Sequence, residues 1–134
     1  MADWVVDSGD NRSMPFAIVD KTDAKVFVFD AQGQLLGAAP ALLGEARGDD
    51  AVPGIGDRDR VITTSLRERR AHRLATVTPL DNRITYGCIN IPKKFYENVV
   101  RPAFTRTYGI VYVLPEIRPV REIFGSYEVG EHAR

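Results

Sequence analysis

Cysteine is almost absent from this chain. Cys88 is the only one, beside two histidines, two methionines and one tryptophan. One cysteine makes no internal disulfide, so the fold rests on its core and the redox compartment stays open. Charge of one sign is missing too. Lys plus Arg and Asp plus Glu both number 18, for a net charge of zero. A nucleic-acid footprint needs a basic surplus, so no nucleic-acid partner is expected. No apolar run is long enough to cross a bilayer as a helix. Met1-Ala2-Asp3-Trp4 lacks the basic region and apolar stretch of an export signal, so no signal peptide is expected. Internal repeats and low-complexity segments are also missing. Asp49-Asp50 and Asp57-Arg58-Asp59 lack the regular alternation of oxygen ligands that calcium loops use, and read as a solvated loop.

What is present suits one globular domain spanning residues 1–134, at 44% apolar and 27% charged residues. That length holds one real core and is too short for two. Residues 1–14 read as a polar, turn-rich lead-in around Ser8-Gly9-Asp10-Asn11. Pro15 then opens a buried strand over Phe16-Ala17-Ile18-Val19, at the first position, where a strand tolerates proline. Asp20-Lys21-Thr22-Asp23 is a turn. Residues 24–30 alternate, with Val26 and Val28 on one face and Phe27 and Phe29 on the other, as in a strand buried on both sides. Gly33 takes the positive φ of a tight turn, and Leu35-Leu36-Gly37-Ala38-Ala39 returns as the second arm of a hairpin.

Residues 42–60 are broken by Gly and Asp and read as loop. Val61-Ile62-Thr63-Thr64 is a short strand candidate. Residues 66–74 are an arginine-rich segment, helical turn or exposed strip. Residues 92–101 form the clearest helix. Pro92 suits its first turn, Phe95, Tyr96, Val99 and Val100 make one apolar stripe, and Pro102 ends it. Residues 109–114 are apolar throughout and read as a central strand. Residues 120–124 are a weak last element, and residues 127–134 a tail.

The chemistry concentrates in Ile84-Thr85-Tyr86-Gly87-Cys88-Ile89-Asn90-Ile91-Pro92. Thiolate is the reactive form of cysteine. Gly87 lets the backbone turn tightly before the sulfur. Cys88 would then stand at a strand end, its own N–H turned toward a substrate oxyanion. The helix starting at Pro92 would bring a positive end near the sulfur and favour thiolate. The plainer role for a lone cysteine is a small buried hydrophobe.

Thr85-Tyr86-Gly87-Cys88-Ile89-Asn90 resembles the nucleophile motif of the L,D-transpeptidase catalytic domain: Ser or Thr, any residue, Gly, Cys, an apolar residue, then Arg or Asn. Tyr86 stands where many members carry histidine. The likeness runs outward through Asp81-Asn82-Arg83 and through residues 92–116, and residues 15–56 are similar to the opening strands of one subgroup. The resemblance implies a mostly β, β-sandwich-like catalytic domain with one or two short helices. It implies cysteine-dependent acyl transfer on peptidoglycan stem peptides through a thioester on Cys88, with no cofactor. It also implies a cell-envelope (periplasmic) location, and carbapenem-type β-lactams as inhibitors.

Residue roles follow from the motif. Gly87 shapes the turn and Cys88 lends its N–H to the oxyanion. Asn90 holds the loop or substrate by side-chain hydrogen bonds. Thr85 orients the loop through its hydroxyl, or is a plain strand threonine. Arg83 faces a substrate carboxylate, or pairs locally with Asp81. Tyr86 sits beside them with no role carried over.

The usual base for such a cysteine is a histidine, and of the two here His132 lies in the expected tail. His72 stands 13 positions before Thr85, a spacing similar to that of many family members. The subgroup pattern points elsewhere. Glu68-Arg69-Arg70 and Leu74-Ala75 match a stretch in which His72 is a variable place. There the catalytic histidine precedes an Arg-Val pair. The pair here is Arg60-Val61, and Asp59 stands before it. The family's Thr-Pro-x-Gly-x-Phe segment is missing between Gly56 and Val61, and with it the family's own histidine. Arginines around His72 also oppose its protonation. Three readings stay open: an active transpeptidase or L,D-carboxypeptidase using His72, a non-catalytic or degenerate domain that binds cell-wall peptide, and a different thiol hydrolase.

Overall fold

The computed structural model describes residues 1–44, 83–85 and 89–130, with backbone only for residues 44 and 83–85. Its centre is a four-stranded sheet in the order β3-β2-β1-β6. These are β1 (Phe16–Asp20), β2 (Lys25–Phe29), β3 (Leu35–Pro40) and β6 (Ile110–Val113). β1 lies between β2, antiparallel to it, and β6, parallel to it. A second, two-stranded sheet joins β4 (Leu43–Gly44) to β5 (Arg83–Thr85) in parallel. The sheet dominates a mixed architecture, in agreement with the mostly β expectation at that level.

Strand alternation divides the core into two clusters. Ala17, Val19, Val26 and Val28 point to one face, in the register Ala17↔Val28 and Val19↔Val26. They receive Phe95, Val99, Val100, Ala103 and Phe104 from a helix of residues 93–104, here α2. Phe16, Ile18 and Tyr112 point to the other face, where they meet Trp4 and Val5. Phe16 stacks on Phe29 at a centroid distance of 4.9 Å and meets the edge of Tyr112 at 5.9 Å. Small side chains face α2 and aromatic ones face the opposite side, so the two layers pack at different depths.

The hairpin forms as its turn chemistry requires. Asp30 Oδ1 accepts from the backbone N–H of Gln32 (3.0 Å) and Gln34 (2.8 Å), and Gly33 has φ +82°. Asp20 Oδ1 does the same for Thr22 and Asp23 in the preceding turn. These local carboxylate bonds compete with strand pairing and stop it.

Several expectations are corrected. The lead-in is not all turn: Ala2–Asp7 is a helix, α1, with Trp4 and Val5 buried. Six residues are too few for a periodic signal or for independent stability, so packing on the sheet makes this helix. Turns do follow it. There Asn11, a buried polar residue, donates through Nδ2 to the carbonyls of Met14 (2.9 Å) and Ala31 (3.0 Å). Pro102 does not end α2. The helix runs Lys93–Phe95, then a π turn Tyr96–Val100, then Arg101–Phe104 with Pro102 in its first turn. Arg101 N–H donates back five residues to Tyr96 C=O. The widened turn takes up the proline ring that an ordinary α turn would clash with. In the expected stripe, Phe95, Val99 and Val100 reach the core while Tyr96 is exposed.

The apolar strand β6 is an edge strand among the described residues, not a central one. Its apolar run serves two faces: Tyr112 is buried on one, while Val111 and Val113 on the other are exposed. Gly109 precedes it at a crowded point. A Cβ there would lie 2.2 Å from Phe104 and 3.0 Å from the Pro15 carbonyl oxygen. The expected loop also starts later than residue 42, since Leu42 and Leu43 are buried and paired. The weak last element is a helix, Val120–Phe124 (α3), closed by Gly125 at φ +67°. Nor is the end a free tail. Tyr127 O–H donates to Asp7 Oδ2 at 2.7 Å, and Val129 packs on the Trp4 cluster. The expected strand 61–64 and the arginine-rich segment 66–74 lie outside the described residues.

Tyr112 links the chain ends, its O–H donating to Asp10 Oδ2 at 2.6 Å. Burial first, then this bond and the Asp10 charge, raise its pKa above the ordinary tyrosine range. The folded value exceeds the unfolded one, near 10, so the stabilisation is full below that pH and is lost as pH rises through the folded value. In a spectrophotometric titration, two of the five tyrosines should ionise late, Tyr112 and Tyr127, the latter through its bond to Asp7, and Tyr112→Phe should leave one of them. A late region unchanged in Tyr112→Phe would refute the assignment.

Candidate active site

The cysteine motif is held at both ends by one short segment. On its N-terminal side, Arg83 pairs with Leu43 and Thr85 with Gly44 as β5 runs parallel to β4. On its C-terminal side, Asn90 forms an antiparallel bridge to Leu42. Leu42 N–H donates to Asn90 C=O at 2.7 Å, and Asn90 N–H to Leu42 C=O at 3.0 Å. Leu42 is fully buried, which makes it a rigid anchor. The chain therefore reverses direction relative to residues 42–44 between Thr85 and Asn90.

Of the sequence-derived site residues, Arg83, Thr85 and Asn90 fall within this frame. Arg83 and Thr85 are placed as strand backbone, and the side chains of both lie outside the described residues. Asn90 is half-buried, with both backbone groups bonded. Tyr86, Gly87, Cys88 and His72 lie outside the described residues, as does His132.

Beyond Asn90 the chain turns into α2. Pro92 caps it with extended dihedrals (φ −59°, ψ +139°), and Tyr96 N–H donates to Pro92 C=O at 3.0 Å. Ile89 is exposed, while Ile91 packs on the sheet face. Both line an apolar cavity of about 440 Å³ between the sheet and α2, with Val26, Val28, Val100 and Phe104. Ile89, the next residue after Cys88 in the sequence, thus forms part of the wall of an apolar cavity.

Leu42 is the neighbour of the cysteine motif that sequence reasoning missed. Its one signal was the apolar pair Leu42-Leu43 at the head of a Gly- and Asp-rich stretch, where two leucines have no reason to sit unless buried. Among the described residues, no group of three His, Cys, Asp or Glu side chains is placed to hold a metal ion. No helix among them is long and apolar enough to cross a membrane. Comparison with family models, with characterised proteins and with solved structures returns no match.

Proposed function

We propose that this chain is a cysteine acyltransferase of the L,D-transpeptidase type, acting on peptidoglycan stem peptides in the cell envelope. The two-sheet sandwich of that family is part of the same proposal. The observation that carries it is the motif Thr85-Tyr86-Gly87-Cys88-Ile89-Asn90, tied down at Thr85 and Asn90 by one buried segment and followed directly by a helix. Anchoring on both sides of the motif suits a nucleophile that must hold its position as charge develops on the substrate.

The Cys88 thiolate attacks the carbonyl between the diamino acid and the terminal D-residue. The C–N bond breaks, the departing amine takes a proton, and a thioester remains. An amine of a second stem then attacks the thioester carbonyl and the C–S bond breaks, returning thiolate. With water in place of the amine, the product is the shortened peptide of an L,D-carboxypeptidase. His72 serves as the base, and Gly87, Asn90, Thr85 and Arg83 shape the loop and hold the substrate. Carbapenem-type β-lactams would acylate the same sulfur. A second reading has its own support: Asp59 stands before Arg60-Val61, where the resemblance places the histidine. In that case the domain binds cell-wall peptide without turnover.

The pH dependence of Cys88 alkylation separates the two, in the native chain and in His72→Ala. A free thiol titrates near roughly 8.5. The enzyme reading expects a midpoint well below that value, raised in His72→Ala. A midpoint that is low but indifferent to His72 removes His72 as the base. A midpoint at or above the ordinary value overturns the enzyme reading in favour of the binding domain.

A further inference from the structure

We propose that residues 1–11 are an exchangeable arm, which in a dimer leaves its own sheet and packs on the sheet of a second copy of this chain. The hinge is Arg12-Ser13. Both residues hold left-handed backbone, at φ +50° and +60°, and neither is a glycine, asparagine or aspartate. A Cβ makes that conformation strained for them. An extended hinge would relieve the strain in both copies. The chain beyond the hinge is already set for it. Pro15 disfavours the helical region for Met14 and turns it toward extended backbone. Pro15 is itself fixed to the sheet, its C=O accepting from Ile110 N–H at 3.3 Å.

The arm travels as one body. Upstream of the hinge, Ser8 N–H donates to Trp4 C=O at 2.9 Å, Gly9 N–H to Val6 C=O at 3.1 Å and Arg12 N–H to Gly9 C=O at 3.0 Å. The arm meets the rest of the fold through side chains. Trp4 and Val5 join Phe16, Ile18 and Tyr112. Asp7 accepts from Tyr127, and Asp10 from Tyr112 at 2.6 Å. Asn11 Nδ2 donates to Ala31 C=O at 3.0 Å. A second copy offers the same groups in the same places, so exchange restores each of these contacts between chains.

Opening the hinge costs two bonds of the turn itself. These are Met14 N–H to Asn11 C=O and Asn11 Nδ2 to Met14 C=O, both 2.9 Å. In an open hinge the Met14 groups reach water, which makes their net loss small. Relief of two left-handed residues per chain works against it, and rising concentration then favours the dimer. The occupant is a second copy because the receiving face is built for this arm. A partner must bring an apolar helix, a carboxylate for Tyr112 and an amide for Ala31 in the order that Trp4-Val5, Asp10 and Asn11 supply.

The test refolds equal amounts of isotope-labelled and unlabelled full chain together from urea at high concentration. Sedimentation velocity over a dilution series should show the native chain approaching twice its 14.9 kDa mass. Isotope-filtered nuclear Overhauser contacts should join Trp4, the one tryptophan, of one chain to the Phe16 and Tyr112 layer of the other. The double variant Arg12→Gly with Ser13→Gly removes the strain from the closed turn and should lower the association constant by at least about tenfold. Ser13→Pro forbids positive φ and should raise it. A native chain that is monomeric throughout overturns the proposal. So does a dimer without interchain Trp4 contacts, a glycine variant that associates as the native chain does, or a folded Ser13→Pro that is monomeric with Trp4 exposed to quencher. If Ser13→Pro does not fold, the native chain and the glycine variant decide.

Discussion

Phe16→Ala should lower the free energy of unfolding by about 3–5 kcal/mol, the range for truncating a buried phenylalanine. Phe16 is fully buried in β1, the only strand of the four-stranded sheet that bonds both an antiparallel and a parallel neighbour within it. Its ring lies between Phe29 and Tyr112, and Tyr112 in turn meets Phe124 edge-on at 6.0 Å. Aromatic pairs add about 0.5–1.5 kcal/mol beyond their burial. The truncation therefore breaks a contact chain joining β1, β2, β6 and α3. Domains of this size have only about 5–15 kcal/mol in total, so the variant should sit near its unfolding threshold at ordinary temperature. Urea denaturation with an unchanged slope would read the loss directly. A loss under about 1 kcal/mol would mean that the aromatic layer repacks, contrary to the burial described.

Cys88→Ala should abolish thioester formation with a tetrapeptide stem and reduce turnover by more than about 10³-fold, as removal of a covalent nucleophile does. Peptide affinity should stay within a few-fold of native, because the Leu42 anchor and the apolar cavity beside Ile89 do not depend on the sulfur. Intact-mass spectrometry for the acyl adduct and calorimetry for binding would measure the two separately. His72→Ala should reduce turnover by about 10²–10⁴-fold with binding intact, the range for loss of a general base. A native chain that binds the stem peptide and forms no adduct would leave the binding-domain reading standing and remove the transpeptidase one.

Local chemistry was readable without coordinates wherever a few adjacent residues decide the backbone. The hairpin of residues 24–39 follows from alternation, the Asp30 side chain and Gly33. The start of α2 follows from Pro92. The cysteine motif itself is a run of six residues, legible as a string. The apolar pair Leu42-Leu43 hints at burial, but nothing in the string pairs Leu42 with Asn90. The partner that anchors Asn90 lies 48 positions away along the chain, and only chain closure brings the two together. The same holds for α1, whose Trp4 and Val5 are helical because the aromatic face of the sheet accepts them.

Two further features needed three dimensions. Pro102 is a helix stop by its own steric character, yet the π turn before it and the contacts of Ala103 and Phe104 with the sheet carry the helix through. The apolar run of β6 reads as a buried central strand, but its neighbours place it at an edge with two valines facing outward. Residue chemistry thus settled which short segments turn or extend, because those choices are made over three to six neighbouring residues. Tertiary structure decided which apolar residues are covered and which segment flanks the cysteine motif, because burial and long-range pairing belong to the folded chain as a whole.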